Sequence, residues 1–235
     1  VPVKVYTERD VRREVDAAKA GLEHGSDWQR WVGAMRRLAG VALGGASTEF
    51  PGLLVGLVRA SVQEMVGHKV SENRSAVARE ACRCVAVLAR CLTDHFGSLA
   101  ELWLPELLRN TTRAVVVAAA GDEAARAVFT CTTDGFPRLL PCLIDTARNK
   151  SAAIRRRCLD YVMLALARWS DAAFERYLPQ IRNMVATAVG DADSSVRVTA
   201  RRGYWVLRMR FPGLAQSVMD SLSPSMQVGD GWVGG

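Results

Sequence analysis

Gly190-Asp191-Ala192-Asp193-Ser194-Ser195-Val196-Arg197-Val198-Thr199-Ala200-Arg201-Arg202-Gly203-Tyr204 reads as a tight polar turn followed by a helix. Asp193 or Ser194 supplies the cap, and Val196, Ala200, Tyr204 and Leu207 recur at offsets of 4, 8 and 11, which keeps them on one helix face. The same phrase recurs upstream. Asp27-Trp28 leads into Arg30 and Ala34, Asn73-Arg74-Ser75 into Val77 and Ala81, Asn110 to Arg113 into Val116 and Ala120, and Asn149-Lys150-Ser151 into Ile154 and Cys158. The anchors at 30, 77, 116, 154 and 196 lie 47, 39, 38 and 42 residues apart. A period near 40 marks an array of helix pairs in which each pair buries its apolar face only against its neighbours. The expected fold is all-α, an α-α solenoid of about six repeats with an incomplete last one.

Taken in order, residues 4–6 read as extended, and Thr7 with Asp10 forms a capping box for a helix carrying Val11, Val15, Ala18 and Leu22. A second helix is expected from Trp28 to about residue 43, where Gly44-Gly45 stops it. The third spans about residues 48–66 with Pro51 in its first turn, and its partner spans about 73–92. Pairs three, four and five follow, with Pro105, Pro141 and Pro179 at corresponding places in their first helices, where each is expected to produce a kink. After Phe211-Pro212-Gly213 comes a shorter helix near residues 214–222, then a Gly-rich end expected to fray.

Composition narrows the function. No apolar run approaches the ~18 residues that cross a bilayer; the longest covers residues 114–120. The six cysteines form no CxxC pair and most fall in apolar helical segments, so buried reduced thiols and a reducing cytosol are expected. Three scattered histidines and the lack of a phosphate loop, zinc motif or nucleophile elbow argue against an enzyme, and no cofactor or small-molecule substrate is expected. Asp191 and Asp193 are accounted for as a turn residue and an N-cap without a metal. The net charge of +7 favours an acidic partner. With no signal-like stretch after Val1, the chain reads as one domain, residues 1–235, from a longer protein.

In stacked helix pairs the turns inside each pair line up along one edge. Here they carry Trp28 and Arg30; Lys69, Asn73 and Arg74; Asn110 and Arg113; Asn149, Lys150 and Arg155 to Arg157; and Arg197, Arg201 and Arg202. A row of cations led by one indole suits an acidic protein surface. Arg155 and Arg197 have a second reading, as partners of acidic turn residues in neighbouring repeats. Arg74, Arg113 and Lys150 sit at turns, where helix packing has little use for a long cation. Trp28 has an equal second reading, as a staple of the first turn, whereas Trp31, Trp103, Trp169 and Trp205 lie within helices and read as packing residues.

Lys4-Val5-Tyr6, Asp27-Trp28, Ala34-Met35-Arg36-Arg37, Arg79-Glu80-Ala81-Cys82, Ile154-Arg155-Arg156-Arg157-Cys158, Asp191-Ala192-Asp193 and Phe211-Pro212 stand in an order that resembles TOG domains. The resemblance runs from Lys4 to about Gln227. It is nearest to the second TOG domain of the CLASP proteins, the cytoplasmic linker-associated proteins of microtubules, in plant and green-algal form. It implies a paddle of six HEAT repeats whose intra-repeat turns face αβ-tubulin, with Trp28 as the family's first-turn aromatic and Arg74, Arg113, Lys150 and Arg197 as the basic counterparts. Arg30, Lys69, Asn110, Asn149 and Arg201 are additional candidates. The same resemblance implies a bent array that prefers curved tubulin at microtubule ends, promotes rescue, suppresses catastrophe and works in the cytoplasm as a monomer without membrane contact. A nucleic-acid-binding array is the alternative from another class, though the basic stretches lack interleaved aromatics for base stacking. A generic HEAT scaffold that binds through its inner helices is a third.

Overall fold

The computed structural model describes residues 1–227, so the Gly-rich end expected to fray lies outside the described residues. Those residues contain helices, turns and connecting segments and no strand. The chain divides into two compact units, Val1–Thr132 and a second from Thr133 onward.

The first unit holds three helix pairs. Helix α1 (Glu8–Glu23) starts at the predicted capping box: Asp10 N–H donates to Thr7 Oγ1, and the Asp10 carboxylate accepts from the Thr7 backbone N–H. It packs on α2 (Trp28–Val41) through Val11, Val15, Ala18 and Leu22. The glycines after α2 do more than stop it. A π-helical turn (Ala42–Ala46) follows, with Gly45 at φ 116°, a backbone region that favours glycine. A Cβ on Gly44 would lie 1.8 Å from the Val3 carbonyl oxygen, and the Val3 N–H donates to the Gly40 carbonyl at 2.8 Å. The glycines thus admit the N-terminal segment against α2.

The expected single helix over 48–66 is three: α3 (Ser47–Glu49), α4 (Pro51–Ser61) and α5 (Gln63–Val70). Val62, at φ −132° and ψ −8°, makes the second break, and Gln63 is turned inward there. Its amide donates to the carbonyls of Ser98 and Leu99 at 3.3 Å, while its own carbonyl accepts the indole N–H of the fully buried Trp103 at 2.9 Å. Satisfying a buried indole and amide together outweighs one uninterrupted helix. Helix α6 (Ser75–Leu92) lies between α2 and α8 (Val115–Thr130), and α7 (Gly97–Asn110) pairs with α8.

Two anchors are shifted by one residue. Trp31, not Arg30, is buried at the start of α2, and Val117, not Val116, at the start of α8. Helix α8 begins at Val115, leaving Thr112 to Ala114 in the turn.

The second unit contains α9 (Leu140–Thr146), α10 (Ala152–Arg168), α11 (Leu178–Val189), α12 (Ser194–Arg210), α13 (Pro212–Asp220) and α14 (Pro224–Gln227). Only Pro105 lies inside a helix, α7. Pro141 and Pro179 instead occupy the first turns of α9 and α11, each after a 3-10 turn, where a missing N–H breaks no helical bond. Trp169 stacks on Phe174 with centroids 5.9 Å apart and meets Phe136 edge-on at 6.2 Å.

Cys82, Cys84 and Cys158 are buried thiols. Burial pushes the Cys82 thiol up to about 11 and those of Cys84 and Cys158 to about 12. Native protein at pH 8 should therefore leave these three unalkylated by iodoacetamide, and urea should expose all of them to labelling, as read by peptide mass spectrometry.

Candidate functional site: the turn edges

In the first unit the three intra-pair turns are tied to one another. Lys69, at the end of α5, places its ammonium 3.2 Å from the ring centroid of Trp31 on α2, which fastens the second turn to the first. The Asn110 amide donates to the Val70 carbonyl at 2.8 Å, and Arg113 Nη2 donates to the Glu72 carbonyl at 2.7 Å, fastening the third turn to the second. Ser71 Oγ also donates to the Glu106 carboxylate of α7. Three stacked turns thus form one braced edge.

That bracing redistributes the roles expected of the candidates. Trp28, the first residue of α2, is 39% exposed, as expected of a contact residue. Asp27 caps the helix beneath it, accepting from the backbone N–H groups of Gln29 (3.1 Å) and Arg30 (3.3 Å), and its carboxylate pairs with exposed Arg30 at 3.3 Å. Arg74 caps α6 by its backbone, and its exposed guanidinium makes a long pair with Glu72 at 3.7 Å. Asn110 is a correction: it is 1% exposed, with its amide on Val70 and its carbonyl oxygen accepting from Arg113 at 3.1 Å, so it is a buried brace and not a contact residue. Lys69 is half-buried against Trp31, and burial depresses its pKa. Arg113 directs its guanidinium to Asn110 and the Glu72 carbonyl, so packing does use this cation.

A feature that the charge pattern did not reveal completes this edge. Val115 and Val116, which open α8, are 84% and 51% exposed. The only signal available was the one-residue register of the helix, which decides which valine faces inward.

The second unit repeats the device. Arg155 makes a bidentate pair with Asp191 of the next turn, both bonds 2.7 Å, and its Nη1 donates to the carbonyls of Asn149 and Lys150 at 2.9 Å. Arg197 bonds its own turn in the same register, donating to the carbonyls of Asp191 (2.7 Å) and Ala192 (2.9 Å). The Arg155 guanidinium holds the Asp191 carboxyl below the usual carboxylate range. Asp193 caps α12 as expected, accepting from Ser195 and Val196 N–H. Asn149 accepts from Ser151 N–H at 2.9 Å, a turn-forming bond, and Arg201 is half-buried. Lys150 is exposed on this edge. Between the fourth and fifth turns lies a cleft of about 490 Å³, with Ile144 and Met184 inside and Asn149 and Lys150 at its rim. It could take a partner's apolar side chain beside a carboxylate.

Each edge thus combines side chains locked into turn-to-turn bonds with a few left to solvent, an arrangement suited to binding a macromolecular surface. Among the described residues no group of His, Cys, Asp or Glu could hold a metal, and no helix is long and apolar enough to cross a membrane. Replacing the cap by Asp27→Ala should cost about 1 kcal/mol in a urea melt, the usual effect of losing an N-cap oxygen.

The sequence profile described as CLASP N terminal matches residues 11–228. The chain is 30% identical over 232 residues to the CLIP-associated protein of Arabidopsis thaliana, and 29% identical over 234 residues to CLIP-associating protein 1 of Xenopus tropicalis. Each match covers 96% of this chain, and the chain spans only 16% and 15% of the two relatives. Among solved structures, one from work on microtubule plus-end tracking by XMAP215, CLIP-170 and EB1 is similar with a TM-score of 0.74 at 17% identity, covering 96% of this chain and 89% of the other. Drosophila melanogaster Mini spindles TOG3 is similar with a TM-score of 0.66 at 14% identity, covering 90% and 89%. These likenesses place the chain in the same all-α repeat fold.

Proposed function

We propose, since this chain belongs to the CLASP N-terminal family, that it is a non-catalytic tubulin-binding module that engages αβ-tubulin through its intra-pair turns. The observation that carries the reading is the exposed indole of Trp28 on the braced edge of a chain matched to that family over residues 11–228. We read the contact set as Trp28 and Arg74 with Val115 and Val116 in the first unit, and Lys150 beside its cleft in the second. Arg113 and Arg197, proposed from position alone, support that surface by holding the turns that bear it. An aromatic anchor with exposed cations around it suits an acidic protein partner, the indole supplying buried area and the cations speeding encounter.

In the whole protein such a module, read as the second TOG domain, would favour curved tubulin at microtubule ends in the cytoplasm and so promote rescue. The test is co-sedimentation of the Trp28→Glu/Lys150→Ala double variant with microtubules and with free tubulin at about 0.15 M salt, where screened charge attraction does not dominate. A folded double variant that binds as the parent does would falsify the reading.

A further inference from the structure

A second face of the first unit carries chemistry that the turns do not use. The helices α2, α6 and α8 lie side by side, and between them runs a groove of about 560 Å³ with Arg36, Arg79, Arg83 and Arg90 along it. Glu80 and Glu123 also line it, and each is already engaged: Glu80 pairs with Arg36 at 3.1 Å and Glu123 with Arg90 at 2.9 Å. Arg79 and Arg83 are exposed and have no acidic partner among the described residues. They stand four residues apart on α6, with Arg90 seven further on, so all three guanidiniums share one stripe of the helix. Small apolar side chains, Ala76, Ala86 and Val87, line the groove beside them.

We infer that this groove is a docking site for an acidic polypeptide segment in extended conformation, supplied by a partner protein. The Arg79–Arg83 rise along the helix is about 6 Å, close to the ~6.6 Å between alternate side chains of an extended chain. Arg79 to Arg90 therefore covers about five residues of such a segment. Two Glu or Asp side chains two residues apart in the segment would meet Arg79 and Arg83, whose guanidiniums bind carboxylates through paired N–H donors. The groove contains no aromatic side chain on which a base would stack, which favours peptide over single-stranded nucleic acid. This site lies on the second helices of the pairs, and its test needs no tubulin.

Fluorescent hexaglutamate, followed by anisotropy at about 0.15 M salt, is the probe, with hexaglutamine as the neutral control. The parent chain should bind hexaglutamate saturably and hexaglutamine not at all. Arg79→Glu/Arg83→Glu should weaken binding at least tenfold, and the milder Arg79→Gln/Arg83→Gln should weaken it in the same direction with the thermal melt unchanged. Arg12→Glu/Arg59→Glu removes the same charge from exposed sites on α1 and α4 and should change affinity less than threefold. Equal losses in the two charge-reversed variants would mean that net charge, not the groove, attracts the peptide, and would overturn the proposal. So would the absence of saturable hexaglutamate binding, or tighter binding of an oligothymidylate that is lost on the same substitutions.

Discussion

Trp28→Glu is expected to weaken tubulin binding by about thirtyfold, which is ~2 kcal/mol and typical of an interfacial tryptophan anchor. The fold should tolerate the change. Position 28 is the first residue of α2, next to the Asp27 cap, and an acidic side chain in the first turn of a helix interacts favourably with its dipole. The loss combines a missing indole with a new carboxylate facing an acidic partner, and like charges at a contact also slow encounter. Lys150→Ala should cost far less, within about 1 kcal/mol, because an exposed ammonium gains little from a single pair in water. The order of the two effects is therefore diagnostic. If Lys150→Ala were the more damaging substitution, the contact would be an electrostatic one centred on the second unit and Trp28 a bystander. Melting curves for both variants should lie within a few degrees of the parent, so that a binding loss can be read as a surface effect.

Asp191→Ala should be the most damaging substitution to the stability of the second unit among the turn residues, by about 2 kcal/mol, or roughly 4–8 °C in Tm for a chain of this size. The carboxylate accepts both 2.7 Å bonds from Arg155 and a 2.8 Å bond from the Asp193 N–H, and its side chain is 11% exposed. Removing it frees Arg155 from the neighbouring repeat while leaving that cation half enclosed. The effect carries a pH signature. Because the hydrogen bonds from Arg155 hold the folded-state pKa of Asp191 below the unfolded value near 3.9, the stabilisation is fully present above that value and is lost as pH falls through the folded pKa. The difference in stability between parent and Asp191→Asn should stay constant from pH 7 to about pH 5 and close below about pH 4. A gap that persisted undiminished at pH 2 would show that the residue acts through shape or packing instead of through its charge.

The repeat architecture was legible because it is written in local chemistry. Thr7 with Asp10, Asp27 and Asp193 are turn and cap signals whose partners lie within four residues, and the structure uses them as read. Val77, Ile154 and Val196 were found for the same reason, since a helical stripe depends only on spacing. The one-residue errors at Arg30 and Val116 fell where a turn carries no strong cap before the helix or where a tryptophan competes for the inward position. The break at Val62 was invisible because its cause, the meeting of Gln63 with Trp103, spans 40 residues.

The site divides along the same line. The sequence by itself determined that turns recur near every 40 residues, that each carries a cation and that the first adds an indole. Only the tertiary structure decided which of those cations face solvent: Arg113 and Arg155 reach into a neighbouring turn, Lys69 settles on Trp31, and Arg74 and Lys150 remain outside. The physical reason is that a guanidinium of several donors beside stacked turns meets backbone carbonyls or carboxylates that no helix-internal bond satisfies, and their positions depend on how the pairs stack, not on the spacing of residues within any one of them.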